Sequence, residues 1–182
     1  LYIITINNSY NFVKFNIINF KFHQSLWRDY IMLLNVGDKA PAFNLLNQDE
    51  NLISLKDLKG EKFILWFYPK ASTPGWTVEG QGFRDELNSF QKLGIRVFGV
   101  SADSVKKQKN FHTKQKFNFD LLSDESHTML EEYGVWQLKK FMGREYMGIL
   151  RATYLINEKG IINTVYDEVK TKTHAQDILN AY

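Results

Sequence analysis

Residues 66–85 read Trp-Phe-Tyr-Pro-Lys-Ala-Ser-Thr-Pro-Gly-Trp-Thr-Val-Glu-Gly-Gln-Gly-Phe-Arg-Asp, and the rest of the chain is best read outward from them. The apolar run Phe63-Ile64-Leu65-Trp66-Phe67-Tyr68 stops at Pro69. A short run of aromatic and branched residues bounded by Pro predicts a buried strand. A polar loop follows, then Thr73-Pro74. Thr at an N-cap with Pro at the first helical position predicts a helix start. Glu79 falls in the early turns, where a carboxylate suits the helix dipole. The predicted unit is strand, tight loop, helix N-terminus, with free backbone N–H groups converging near Trp76.

The helix from Pro74 carries Phe83, Leu87, Phe90 and Leu93 at spacings that share one face, and Gly94 is placed to end it. On the N-terminal side, Phe43, Leu45, Ile53 and Leu55 alternate with polar residues around Asn47–Asn51, a hairpin pattern. Leu55-x-x-Leu58-x-Gly60 reads as a short helical turn. On the C-terminal side, Ile95–Ser101 is a strand, and a helix runs from Asp103 or Ser104 to about Lys116. Phe119–Leu122 is a short strand, and Ser126–Tyr133 a short helix. Arg151–Ile156 and Ile161–Tyr166 form a hairpin about Asn157–Gly160, and His174–Ala181 is a terminal helix with Ile178 and Leu179 inward. Strands alternating with helices early and pairing as a hairpin late predict an α/β fold with a central mixed sheet and helices on both faces.

Pro69-x-x-x-Thr73-x-x-Trp76 resembles the peroxiredoxin signature Pro-x-x-x-Thr-x-x-Cys, with Trp in place of the peroxidatic Cys. Phe67–Lys70, Phe83-Arg84-Asp85, Tyr133–Trp136, Tyr146–Ile149 and Arg151–Ile156 resemble the peroxiredoxin Q, or bacterioferritin-comigratory, branch. The resemblance covers residues 33–182 and implies a thioredoxin-like fold with an N-terminal hairpin. It implies the chemistry of a thiol peroxidase: Cys attacks the O–O bond of hydrogen peroxide or an organic hydroperoxide and becomes a sulfenic acid, which a second thiol reduces through a disulfide. It also implies a thioredoxin-like reductant, a cytoplasmic protein of antioxidant defence that is a monomer or weak homodimer, and no cofactor or metal. By the same resemblance, Thr73 would hydrogen-bond nucleophile and peroxide, and Pro69 would shield the pocket. Arg151 would hold the nucleophile anionic, and Glu79 would anchor the local hydrogen-bond network.

Each residue has a plainer reading as well. Thr73 caps any helix well, Pro69 ends many strands, and an Arg beside a strand is ordinarily a surface residue. Trp76 breaks the mechanism outright, since indole has one N–H donor and no thiolate state. In a pocket cut for a thiol it is expected to fill the peroxide site or push the helix start aside. Gln81 stands five residues on, where many members of the family carry a resolving Cys. Three readings follow: a peroxidase whose sequence lacks its nucleophile, a non-catalytic protein that keeps the fold for binding or assembly, and a selenoperoxidase if codon 76 is a recoded TGA.

The composition sets the remaining bounds. The chain has 182 residues, 44% hydrophobic and 24% charged, with a net charge of +3 and no Cys, so thiol chemistry, disulfides and thiolate metal sites are excluded as written. The basic clusters Lys106-Lys107-x-Lys109 and Lys139-Lys140 read as solvated faces, and no nucleic-acid partner is expected. No apolar run approaches the ~20 residues of a membrane span. His23, His112, His127 and His174 show no metal-ligand spacing. Residues 1–31, rich in Asn, Ile and Phe, read as an extension preceding a domain over 32–182.

Overall fold

The run that stops at Pro69 forms the strand at the heart of the sheet. In the computed structural model, which describes residues 32–71, 74–168 and 170–181, this strand is β3 (Lys62–Phe67). The N-terminal hairpin supplies β1 (Asn44–Asn47) and β2 (Leu52–Ser54), followed by a 3-10 turn at Leu55–Leu58. After β3 come helices α1 (Pro74–Asp85) and α2 (Leu87–Lys92), then β4 (Ile95–Ser101), α3 (Val105–Gln115), β5 (Asp120–Ser123) and α4 (Thr128–Glu132). A hairpin of β6 (Trp136–Phe141) and β7 (Arg144–Ile149) precedes β8 (Ala152–Ile156), β9 (Ile162–Tyr166) and α5 (His174–Asn180).

Seven strands make one mixed sheet in the order β2-β1-β5-β4-β3-β8-β9. β3 runs parallel to β4 and antiparallel to β8, and β4 runs parallel to β5. The parallel pairs need crossovers, which the helices between them provide. Because side chains alternate along a strand, β3 feeds two cores. Phe63, Leu65 and Phe67 join Leu58, Met129, Leu130 and Tyr133 on one face. Ile64, Trp66 and Tyr68 join Phe83, Phe90, Phe111 and Ile178 on the other, which the four helices α1, α2, α3 and α5 cover. The expected α/β thioredoxin-like architecture is what the structure shows, with only α4 and the 3-10 turn on the first face.

Three details differ from the sequence reading. The helix expected to run unbroken to Leu93 is interrupted at Glu86 (φ −93°, ψ 5°), so α2 is a separate short helix. Phe83, Leu87 and Phe90 are buried as expected, but Leu93, past the interruption at the end of α2, is 40% exposed. The β6–β7 hairpin was not foreseen as an element. Its turn places both central residues, Met142 (φ 48°) and Gly143 (φ 76°), in the left-handed region. Such turns are ordinarily signalled by Asn-Gly or Asp-Gly, and Met hides the signal. The expected extension, residues 1–31, lies outside the described residues.

Candidate active site

Strand register sets the site. Phe67 pairs with Ala152 across β3 and β8, which brings Arg151 beside the end of β3 where the chain leaves for α1. Trp66 pairs with Thr153, and cross-strand partners share a face, so both point to the side covered by α1 and α5. Pro69 is half-buried at the bend that follows. The loop beyond is tied to the sheet by the Ala71 backbone N–H, which donates to Asp103 Oδ2 at 2.7 Å. Asp103 also accepts from the Ser101 hydroxyl at 3.0 Å.

α1 begins at Pro74, as the Thr-Pro signal predicts. The Trp76 side chain is half-buried, and the Arg151 guanidinium lies over its ring with Cζ 3.9 Å from the centroid. A cation held on an indole face at this distance is attracted by the ring quadrupole, by about 0.5–2 kcal/mol. Of the residues expected to converge on position 76, Arg151 does so. Thr73 lies outside the described residues.

Glu79, three residues on from Trp76, turns inward and is buried. Its Oε2 is 3.9 Å from Arg151 Nε and its Oε1 3.8 Å from His174 Nε2, while neither oxygen has a hydrogen-bond partner among the described residues. Burial raises its pKa from 4.5 to about 7, against the opposing pull of Arg151. The Trp66 indole N–H also pulls it down but is itself unpartnered. It therefore acts as a polar neighbour rather than as a hydrogen-bond donor to the carboxylate. Nor is the His174 contact an ion pair. Burial lowers the His174 pKa to about 4, so the ring is neutral, and its Nε2 shares a 2.9 Å hydrogen bond with the Thr153 hydroxyl. The expectation that Glu79 anchors a hydrogen-bond network is thus corrected: Glu79 is a desolvated carboxyl between a cation and a neutral imidazole.

Two contributors escaped the sequence reading. His174 opens the terminal helix and reaches the site only through packing against β8, so no local spacing announces it. Lys139 read as a solvated residue, yet its Nζ donates to the Ile149 carbonyl at 2.6 Å, and its pKa is lowered by burial and then by Arg151. The Lys106 to Lys109 cluster is solvated on α3 as expected. No group of three or more His, Cys, Asp or Glu placed to hold a metal occurs among the described residues.

The geometry is a helix start, a strand-end Arg and a buried Glu gathered about position 76. The AhpC/TSA family model matches residues 36–165, nearly three quarters of the chain. The chain belongs to the AhpC/TSA family. A bcp-type peroxiredoxin of Haemophilus influenzae is 50% identical over 147 residues, covering 81% of this chain and 95% of that protein. Peroxiredoxin Bcp of Escherichia coli is 44% identical over 147 residues, covering 81% and 94%. Among solved structures, a PrxQ mutant from Xylella fastidiosa superposes with a TM-score of 0.78 at 32% identity, covering 82% of this chain and 96% of that one. The bacterioferritin comigratory protein of Xanthomonas campestris gives 0.73 at 36%, covering 76% and 88%. The resemblance read from the sequence to the peroxiredoxin Q branch is therefore shown, and these relatives are peroxiredoxins.

Proposed function

We propose that the polypeptide as its sequence stands is a non-catalytic peroxiredoxin, one in which the place of the nucleophile is filled by Trp76. The observation that supports this is the Arg151 guanidinium stacked on the Trp76 ring at 3.9 Å. An Arg held on this indole face is engaged with the very residue that stands in the nucleophile's place. Indole has no thiolate state and the chain has no Cys, so no side chain here can form a sulfenic acid. The retained fold then serves binding or assembly. The remaining assignments are a soluble cytoplasmic location and a monomer or weak homodimer, on the model of the family.

A second reading is favoured by what surrounds Trp76. Arg151 beside position 76 and the start of α1 at Pro74 are features that would stabilise a small anionic nucleophile, and they support this reading. On this reading the natural polypeptide carries Cys at position 76, or selenocysteine from a recoded TGA. It reduces hydrogen peroxide and organic hydroperoxides with electrons from a thioredoxin-like protein. The nucleophile attacks one peroxide oxygen, the O–O bond breaks and the alcohol or water leaves. Because Gln81 offers no resolving thiol, one thiol of the external dithiol condenses with the oxidised nucleophile, releasing water, and its second thiol reduces the mixed disulfide and restores the starting state.

Intact mass of the protein from its natural source decides which residue stands at 76. A peroxide-consumption assay with a thioredoxin reducing system then tests the first reading. The Trp76 protein is expected to give no turnover above background, and thiol-dependent turnover by it would refute the proposal.

A further inference from the structure

A cleft of about 840 Å³ opens at the opposite end of β3 from the Trp76 site, between the N-terminal hairpin, the 3-10 turn and the β8–β9 turn. Its floor is apolar, made by Phe43, Leu58 and Phe63, which are buried beneath it. Leu55 lines one side, and Leu52, 58% exposed on edge strand β2, stands at the opening. This size falls within the range of small-molecule sites, roughly 300–1,000 Å³.

The rim carries a charge that the protein does not neutralise. Lys39, Lys56, Lys59 and Lys159 line it, against Asp57 and Glu158. Neither carboxylate makes an ion pair with a rim lysine among the described residues, although Asp57 keeps its charge beside Lys56. Asp57 Oδ2 accepts from the Ser54 hydroxyl at 2.6 Å and from the Ser54 N–H at 3.0 Å, and Glu158 Oε1 is 3.6 Å from Lys62 Nζ. No carboxylate lies within ion-pair distance of Lys39, Lys59 or Lys159 among the described residues. The cleft thus combines an apolar floor with a rim of four lysines against two carboxylates, and three of those lysines have no carboxylate within ion-pair distance among the described residues.

We infer that this cleft is a binding site for a single-chain anionic amphiphile, a monomeric fatty-acid-type carboxylate. Its hydrocarbon chain lies over Phe43, Leu55 and Phe63, and its head meets the rim lysines. An apolar floor recognises hydrocarbon by burial, and Lys recognises carboxylate as a point charge. A neutral ligand would leave the lysines unused, and a cationic amphiphile would be repelled by them. The site is remote from position 76 and rests on neither reading of that position.

The test is calorimetric titration of the full chain with octanoate, decanoate and dodecanoate below their micelle concentrations, with backbone amide NMR to locate the site. Affinity is expected to rise with chain length by up to about fourfold per methylene. Amide shifts should cluster at residues 39–44, 52–59 and 158–160. Dodecyltrimethylammonium, with the same chain and a cationic head, should not produce them. Leu52→Asp and the pair Lys59→Glu with Lys159→Glu change exposed side chains, so the thermal transition should be unchanged while dodecanoate binding weakens by about tenfold or more. Equal binding of the cationic amphiphile, shifts centred on Trp76 and Arg151, or no binding at about 1 mM dodecanoate would overturn the assignment. So would an acidic peptide that shifts the β2 amides where dodecanoate does not, since that would mark strand addition to the sheet edge.

Discussion

Glu79→Gln should change how stability depends on pH, and the sign follows from two buried groups that oppose each other. The Glu79 pKa is raised by burial from 4.5 to about 7, so between those values the folded protein holds a proton that the unfolded chain has released. Stability from this group therefore falls as pH rises through that window. The His174 pKa is lowered by burial from 6.5 to about 4, so the unfolded chain holds a proton that the folded protein lacks. Stability from this group falls as pH drops through its window. Between pH 4.5 and 6.5 the two effects cancel, one proton each way. Each displacement corresponds to about 3 kcal/mol across its full window. Gln removes the first effect and leaves the second. The difference in unfolding free energy between variant and parent should then shift by about 3 kcal/mol in the variant's favour between pH 4.5 and 7. Urea unfolding followed by far-ultraviolet circular dichroism across pH 4–8 measures it. The absolute offset includes the cost of burying an amide, so the pH dependence is the test. Parallel stability curves would refute the placement of Glu79 as a desolvated carboxyl.

Other outcomes follow from packing. Gly99 lies where a Cβ would sit 2.7 Å from Leu121 Cδ2 and 3.1 Å from Trp66 Cε3, so Gly99→Ala should destabilise by about 1–3 kcal/mol in chemical denaturation. Gln108 is fully buried. It accepts from the Tyr68 hydroxyl and donates to Ser101 Oγ at 3.0 Å and the Leu122 carbonyl at 2.9 Å. Gln108→Leu strands these partners and should cost about 2–4 kcal/mol by the same measurement. Met142 is exposed at a positive φ, where Asn is better tolerated, so Met142→Asn should slow amide exchange along β6 and β7.

What could be read in the sequence depended on how local each signal is. The β3 strand and the start of α1 are announced by contiguous residues, an apolar run ended by Pro69 and a Thr-Pro pair, and both lie where the pattern puts them. Arg151 was placed at position 76 through resemblance, and the Phe67–Ala152 register gives the physical reason for that convergence. His174 was invisible as a site residue because its role depends on α5 folding back over β8, where its partner Thr153 lies 21 positions away. Lys139 was misread because a long stem can turn a nominally surface ammonium back onto a carbonyl. The interruption at Glu86 has no Gly or Pro to mark it, and Leu93 is exposed because α2 ends at Lys92 and leaves Leu93 as its C-cap.

The central proposal is that the pocket around Trp76 would stabilise an anionic nucleophile in the place the indole fills. The direct measurement is the pH dependence of iodoacetamide alkylation of Trp76→Cys, with and without Arg151→Ala. The chain has no other Cys, so a single thiol reports. A thiolate forming well below the ordinary value of about 8.5, and moving back towards it when Arg151 is removed, is the predicted result. A folded Trp76→Cys variant whose thiol titrates at the ordinary value in both backgrounds would contradict the account.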